Sequence, residues 1–384
     1  MRGLPEPSPA LFSFISTEDR IPASHPIRRI RALVHRTLDH LNPTFFTLYS
    51  TEGRPSIPPE QLILALLLQA FYGLRSERLL LEQLNYNLLF RWFVGLNPDD
   101  PIWHPTTFTK NRDRLLNEAI MAQFLEKLLS DPAVEPLLSN EHFSVDGTLL
   151  KAWASHASLK RKDGQEAPPA PPSGEVFGEG LDGKKRAKGD FRGLHISNET
   201  HFSTTDPDAL LARKSNAHPA ELSYRGHVLM DNRHDLVVNC LITKADGYGE
   251  RDAATEMATA LPGKKQKTIG GDKGYDTKGF VAKMRYIGVT PHVSQNTKRR
   301  GGSAIDRRTT RHEGYAKSIN ARRGIEKVFA WIKEFSGLRQ FKHRGQKKVQ
   351  AVFGLHAIAY VLIRIANLMK TPTTANTKQM RKED

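Results

Sequence analysis

His142-Phe-Ser-Val-Asp-Gly-Thr148 is the stretch on which the reading of the fold turns. It begins a series of short β-type runs, whose side chains alternate between two faces. Upstream, over residues 26–130, apolar residues recur at helical spacing instead. Pro58-Pro-Glu-Gln61 opens a helix carried by Leu62, Leu66, Gln69, Ala70 and Phe71, with Gly73 as its stop. Ser76 is placed to cap a second helix bearing Leu80, Leu84 and Leu88, and Pro105 begins a third. Short helices with a tight turn and a basic last member have the pattern of a helix-turn-helix. Lys110, Arg112 and Arg114 would then face a nucleic acid; the plainer alternative is the solvated side of a small bundle.

Downstream, Ser223–Met230 and Leu236–Thr243 read as strands joined by the turn Asp231-Asn-Arg-His-Asp235. Asp252–Leu261 reads as a helix, Lys267–Gly271 as a strand, Thr277–Tyr286 as a helix and Val289–Val293 as a strand. Two long helices, 318–335 and 347–369, follow. The fold class expected is α/β: a mixed sheet flanked by helices, after an N-terminal helical domain. The boundaries expected are an N-terminal tail 1–25, a helical domain 26–135 bearing the candidate DNA-facing cations, a sheet-bearing domain 140–369 and a basic tail 370–384. An insertion of about residues 158–219 interrupts the strands. Ala167-Pro-Pro-Ala-Pro-Pro-Ser-Gly174 and its polar, Gly-rich continuation cannot build a core, so disorder is expected there. Lys184–Arg192 within it could touch phosphates or simply be a solvated linker.

A formal charge of +16, from 57 Lys and Arg against 41 Asp and Glu, favours a polyanionic partner, nucleic acid ahead of a membrane surface. Residues 298–323 concentrate it: Lys298, Arg299, Arg300, Arg307, Arg308, Arg311, Lys317, Arg322 and Arg323 face only Asp306 and Glu313. So charged a loop cannot help a core and reads as DNA-binding. The single cysteine, Cys240, excludes an intramolecular disulfide and a Cys-based zinc site, and its apolar neighbours mark it as a buried small hydrophobe. Met1-Arg-Gly-Leu-Pro-Glu-Pro7 lacks the pattern of a signal peptide. The most apolar stretch, Val352–Met369, is interrupted by His356 and Arg364 and reads as a core helix, not a membrane span. A cytoplasmic protein is expected.

Against this basic background, three acidic residues are hard to explain as ordinary surface. Asp146 and Asp272 end short apolar runs, and Glu326 lies in Arg322-Arg-Gly-Ile-Glu-Lys327. Each has an ordinary reading. Asp146 before Gly147 suits a turn, as does Asp272, and Asp276 is a rival that could equally cap the next helix. Glu326 could be one rung of a helix ion-pair ladder. Gly270 and Gly271 leave room for a ligand to approach the backbone. At 100° per residue Arg322 lies about 40° and Lys333 about 20° from Glu326, so the three share a face. Carboxylates converging from two strand ends and a helix would suit two Mg²⁺ ions acting on a phosphodiester, since Mg²⁺ takes hard oxygen ligands.

Phe143-Ser-Val-Asp-Gly-Thr148, Gly271-Asp-Lys-Gly-Tyr-Asp276 and the run from Arg322 to Lys333 together resemble the bacterial insertion-sequence-five family of DDE transposases. So do Arg54-Pro-Ser-Ile-Pro-Pro-Glu-Gln-Leu62, Phe90-Arg-Trp-Phe-Val-Gly-Leu96 and Pro105-Thr-Thr-Phe-Thr-Lys-Asn-Arg112, and the resemblance spans residues 11–369. It implies an RNase H-like core in which Asp146, Asp272 and Glu326 are the catalytic, metal-binding triad, holding two Mg²⁺ with Mn²⁺ as a substitute. Arg322 and Lys333 match the basic residues of the family's Tyr-Arg-Glu-Lys signature, and both are implied DNA contacts. Its tyrosine would fall at Ile319, with Tyr315 the nearby aromatic.

The implied activity is binding of an element's terminal inverted repeats, endonucleolytic cleavage of its ends and joining of the 3′-OH to target DNA. Partners are double-stranded DNA and, to bridge two ends, at least a second copy of the chain. A stand-alone Mg-dependent nuclease and a transposase-derived DNA-binding protein without chemistry are the alternatives. An unused cluster of like charges would destabilise the apo sheet, which argues against the latter.

Overall fold

The computed structural model describes residues 16–50, 52–53, 56–164, 196–215, 217–247, 249–263, 266–298 and 300–369. Helices lead: α1 (Thr17–Arg20), α2 (Pro26–Leu48), α3 (Pro59–Phe71), α4 (Glu77–Tyr86), α5 (Leu88–Val94), α6 (Pro105–Leu115) and α7 (Glu118–Leu129). Their starts follow local chemistry. Ser76, Asn87 and Asn117 accept backbone N–H groups at the starts of α4, α5 and α7, and proline occupies the first turn of α2, α3 and α6. Leu88 belongs to α5 and is exposed, because Asn87 ends one helix and caps the next. Within the expected N-terminal tail, Thr17–Arg20 is helical and Glu18 accepts bonds from Arg28 and Trp92.

The strands are β1 (His142–Lys151), β2 (Leu159–Arg161), β3 (His201–Ser203), β4 (Leu210–Ala212), β5 (Glu221–Asp231), β6 (Leu236–Lys244), β7 (Lys267–Gly271) and β8 (Val289–Val293). In the main sheet β5, β1, β7 and β8 lie side by side, with β4 and β6 also paired to β5. β1 runs antiparallel to β5 and parallel to β7, and β7 parallel to β8. β5 and β6 are antiparallel. The sheet is mixed, as the alternation of strands and helices implies. α8 (Gly249–Thr259) and α9 (Lys278–Tyr286) bury Met257, Val281 and Met284 with Phe143, Val145 and Ile269 on one face.

α10 (Arg307–Thr310), α11 (Glu313–Ala321), α12 (Gly324–Ala330) and α13 (Gln346–Leu368) complete the described chain, and α12 and α13 join the larger apolar cluster. α13 is apolar almost all round and is long enough to cross a membrane by composition, yet most of it is buried inside the fold. It packs on β6 and also on α2, α3 and α7, so the N-terminal helices and the sheet share one core. Two glycines permit this closeness. A Cβ on Gly226 would stand 2.9 Å from the Phe353 ring, and one on Gly354 3.2 Å from Met121 Cβ.

Two expectations are corrected. The insertion is ordered at both ends: β2 and β3 form a small sheet and β4 joins the main one. Buried Asp206 ties this region to the core, accepting from Tyr224 Oη at 2.7 Å and from Gly345 N at 3.2 Å. Its Pro-rich centre and Lys184–Arg192 lie outside the described residues, as does the tail 370–384. The helix read over 318–335 is broken into α11, α12 and a π turn at Trp331–Phe335. At the break a Cβ on Gly324 would collide with Asp235 Oδ1 at 2.5 Å, so glycine lets the backbone meet the β5–β6 turn.

Arg91 shows how the helical region is locked. Its guanidinium is buried and donates to the carbonyls of Leu84, Asn85, Asn97 and Asp100. Removing it strands those acceptors at roughly 1–3 kcal/mol each where no water replaces it. Arg91→Ala is expected to lower stability by at least about 3 kcal/mol, read from the urea midpoint, whereas exposed Lys110→Ala changes it by less than about 0.5 kcal/mol.

Candidate active site

β7 pairs with β1 only over His142–Ser144, so Asp146 stands two residues beyond the last pair, where the strands part. Its side chain is 19% exposed. Oδ1 accepts the N–H of Gly147 at 2.8 Å, and Oδ2 lies 3.5 Å from Arg322 Nη1. Burial pushes its carboxyl up to about 6; Asp272 and Glu250 add to the rise, while the Gly147 N–H and Arg322 oppose it.

Asp272 follows the end of β7, half-buried, and accepts the N–H of Gly274 at 2.7 Å. The preceding glycines are filled by the chain itself and not left open for a ligand. A Cβ on Gly270 would stand 3.3 Å from Ser144 Oγ and 3.4 Å from the Ser318 carbonyl, and one on Gly271 3.1 Å from the Tyr275 ring. Asp276 is buried and accepts the N–H groups of Asn296 at 2.6 Å and Ala304 at 2.8 Å. It fastens the loop after β8, and Thr277, not Asp276, caps α9. Of the two aspartates, Asp272 is the one beside Asp146.

Glu326 is exposed on α12 and its side chain makes no hydrogen bond or ion pair among the described residues. Its flanking cations do reach β1. Arg322 meets Asp146, and Lys333 Nζ donates to Thr148 Oγ1 at 2.5 Å. Burial, with Lys214 nearby, holds the Lys333 ammonium below its usual range. Lys333 lies in the π turn, a wider turn than the uniform 100° used to place it. Tyr315, the aromatic near Ile319, donates its hydroxyl to the Val293 carbonyl at 2.8 Å and braces β8.

The sequence reading missed four residues around this point: Glu250, Arg225, His227 and Tyr275. Glu250 Oε2 pairs with Arg225 Nη1 at 2.7 Å, and Tyr275 Oη lies 3.3 Å from Glu250 Oε1. Nothing in Gly249-Glu-Arg-Asp252 distinguishes Glu250 from a helix-start acid; only the packing of α8 on the sheet places it here. Burial drives the His227 imidazole down to about 3, so it is neutral.

The basic residues divide. Lys110 is exposed, Arg114 stacks on Tyr49 at 4.8 Å, and Arg112 turns inward to pair with Glu77 and Asp113. Arg300 and Arg307 are exposed, Arg308 is exposed and paired with Asp306 at 2.7 Å, and Arg299 lies outside the described residues. Among the described residues no three acidic, histidine or cysteine side chains are already gathered to hold a metal ion. The donor chemistry of Asp146 and Asp272 nonetheless fits one: two hard-oxygen carboxylates repel each other at a partly buried strand end.

Two family models match the chain. One described as "Transposase domain (DUF772)" covers residues 15–114, and one described as "Transposase DDE domain" covers 192–362. The chain belongs to the DDE transposases: it is an enzyme that acts on DNA, of a class that works with divalent metal ions. Asp272 and Glu326 fall inside the second match, and Asp146 lies between the two. No curated protein sequence matches. Among solved structures, a piggyBac transposase synaptic complex with hairpin DNA aligns at 8% identity and a TM-score of 0.40, over 96% of this chain and 87% of that one, too slight a likeness to argue from.

The raised Asp146 carboxyl has a sign that can be measured. Its folded value lies above the usual one, so its contribution is fully present below about pH 3.8 and lost as pH rises through about 6. Asp146→Asn is therefore expected to stabilise the metal-free protein by about 1–3 kcal/mol at pH 7.5, an advantage that vanishes near pH 3.8. Thermal melts in chelator at both pH values read the difference. A constant offset would show that Asp146 titrates normally.

Proposed function

We propose that the chain is a transposase of the insertion-sequence-five type, with an RNase H-like core that cuts and joins DNA at one site. The observation that carries this reading is the meeting of Asp146 and Asp272 at adjacent strand ends, with Arg322 and Lys333 reaching β1 from the helix segment that bears Glu326. The strand succession β6-β5-β1-β7-β8, antiparallel on one side of β1 and parallel on the other, supports the RNase H-like assignment.

Asp146, Asp272 and Glu326 would hold two Mg²⁺ ions, or Mn²⁺ in their place, which supply positive charge to the attacking and leaving oxygens of a phosphodiester. Arg322 and Lys333 grip the phosphates on either side of the scissile bond, since Arg322 meets the first aspartate and Lys333 bonds Thr148, two residues further along β1. Lys333, short of solvent, is ready to trade the Thr148 hydroxyl for a phosphate oxygen. Exposed Lys110, Arg114, Arg300, Arg307 and Arg308 lie along the DNA. Water cleaves at the element end, and the released 3′-OH attacks target DNA in line, with no covalent protein intermediate. Two ends need two copies of the chain, acting at the nucleoid in a bacterial cytoplasm.

Incubation with a labelled inverted-repeat end, a target plasmid and Mg²⁺ tests this. Asp146→Ala, Asp272→Ala and Glu326→Ala are each expected to lower strand transfer by at least about 10³-fold while end binding persists. Cleavage without joining by the wild type would point to a nuclease, and binding without Mg²⁺-dependent chemistry would refute both. Lys333→Ala is expected to cost about 10–100-fold in strand transfer.

A further inference from the structure

Glu250 opens α8, the helix that follows β6, and its carboxylate lies over β1 at Gly147, the residue after Asp146. A Cβ built on Gly147 would stand 2.9 Å from Glu250 Oε1 and 3.0 Å from His227 Nδ1. Gly147 is thus the gap through which that carboxylate comes down onto the strand. His227 sits opposite Gly147 in the β1–β5 register and is fully buried. Its Nε2 lies 2.8 Å from Thr243 Oγ1, while its Nδ1 has no hydrogen-bond partner. A buried, unsatisfied ring nitrogen and a carboxylate oxygen therefore converge on Gly147, the residue that follows the first aspartate. Buried polar atoms without a protein partner are rare and are commonly satisfied by a bound ligand or its water.

Two of these carboxylates, Glu250 and Asp146, lean on cations of the chain itself. Glu250 pairs with Arg225 at 2.7 Å and Asp146 with Arg322 at 3.5 Å. These arginines supply the charge a bound cation would otherwise bring. Among the described residues no three-donor cluster is preassembled.

We propose that Glu250 is a further carboxylate ligand of the divalent-cation site, joining Asp146 and Asp272 through the gap at Gly147 when the cation displaces Arg225. The proposal rests on the active-site reading above and adds a ligand that reading does not contain. The unpartnered His227 Nδ1 is placed to hydrogen-bond a water carried by the ion, since Mg²⁺ and Mn²⁺ retain water alongside carboxylates.

Calorimetric titration of the full chain with Mn²⁺, without DNA, tests it. Glu250→Gln is expected to weaken Mn²⁺ binding by about tenfold or more, as Asp146→Asn does. Arg225→Gln, which frees the carboxylate, is expected to leave affinity unchanged or tighter. Wild-type affinity in Glu250→Gln beside a loss in Asp146→Asn would overturn the Glu250 assignment and leave the active site standing. No loss in Asp146→Asn would overturn the site itself. Equal losses in Arg225→Gln and Glu250→Gln would also defeat the assignment, because Glu250 would then serve only to anchor Arg225. Should Glu250→Gln fail to fold, Glu250→Asp keeps the charge with a shorter reach. A weakening of about fivefold or more then supports ligation, and wild-type affinity rejects it.

Discussion

Everything else in this molecule is arranged around the burial of α13. A helix apolar on nearly every side must be covered on nearly every side, and the sheet can cover only one. The N-terminal helices α2, α3 and α7 cover the rest. Gly226 and Gly354 bring the layers to within contact of Phe353 and Met121, where any side chain would hold them apart. The region expected to bind DNA is thereby packed into one core with the main sheet. α12 contributes to the same core through Ile325, Val328 and Phe329, so the packing that covers α13 also sets the position of Arg322 and Lys333 over β1.

The site works against the chain's electrostatics. Asp146 and Asp272 stand where two strands part, and burial makes ionisation of Asp146 costly before any neighbour is counted. Arg322 and Arg225 partly offset this, and neither ion pair is fully exposed. Such an arrangement is poised to exchange internal cations for an external one. The basic surface around it serves a different purpose, attracting the polyanion whose phosphates would add still more negative charge to the site.

Much of this could be read from residue pattern. Ser76 and the helix-starting prolines announced their helices, and Lys267–Gly271 and Val289–Val293 fall where the strands do. The ordered ends of the insertion were missed because Asp206 looks like loop polarity until Tyr224 and Gly345 close on it. Arg112 was read as a DNA-facing cation, but Glu77, thirty-five positions away, draws it inward. The break at Gly324 was hidden because a glycine within a helical pattern does not reveal that Asp235 will press against it.

By itself the sequence determined most of the elements, several of their caps and the candidate acids, because those follow from side-chain period, backbone preference and charge within a few residues. Family motifs extended that reading to Asp146, Asp272 and Glu326. Tertiary structure alone decided that Asp276 is a loop fastener, that Asp272 stands by Asp146, and that Glu250 reaches Gly147. The physical reason is range. Hydrogen bonds and caps act between neighbours in the chain, whereas the field at a buried carboxylate is set by whichever groups packing brings within a few ångströms, and no local pattern records which those will be.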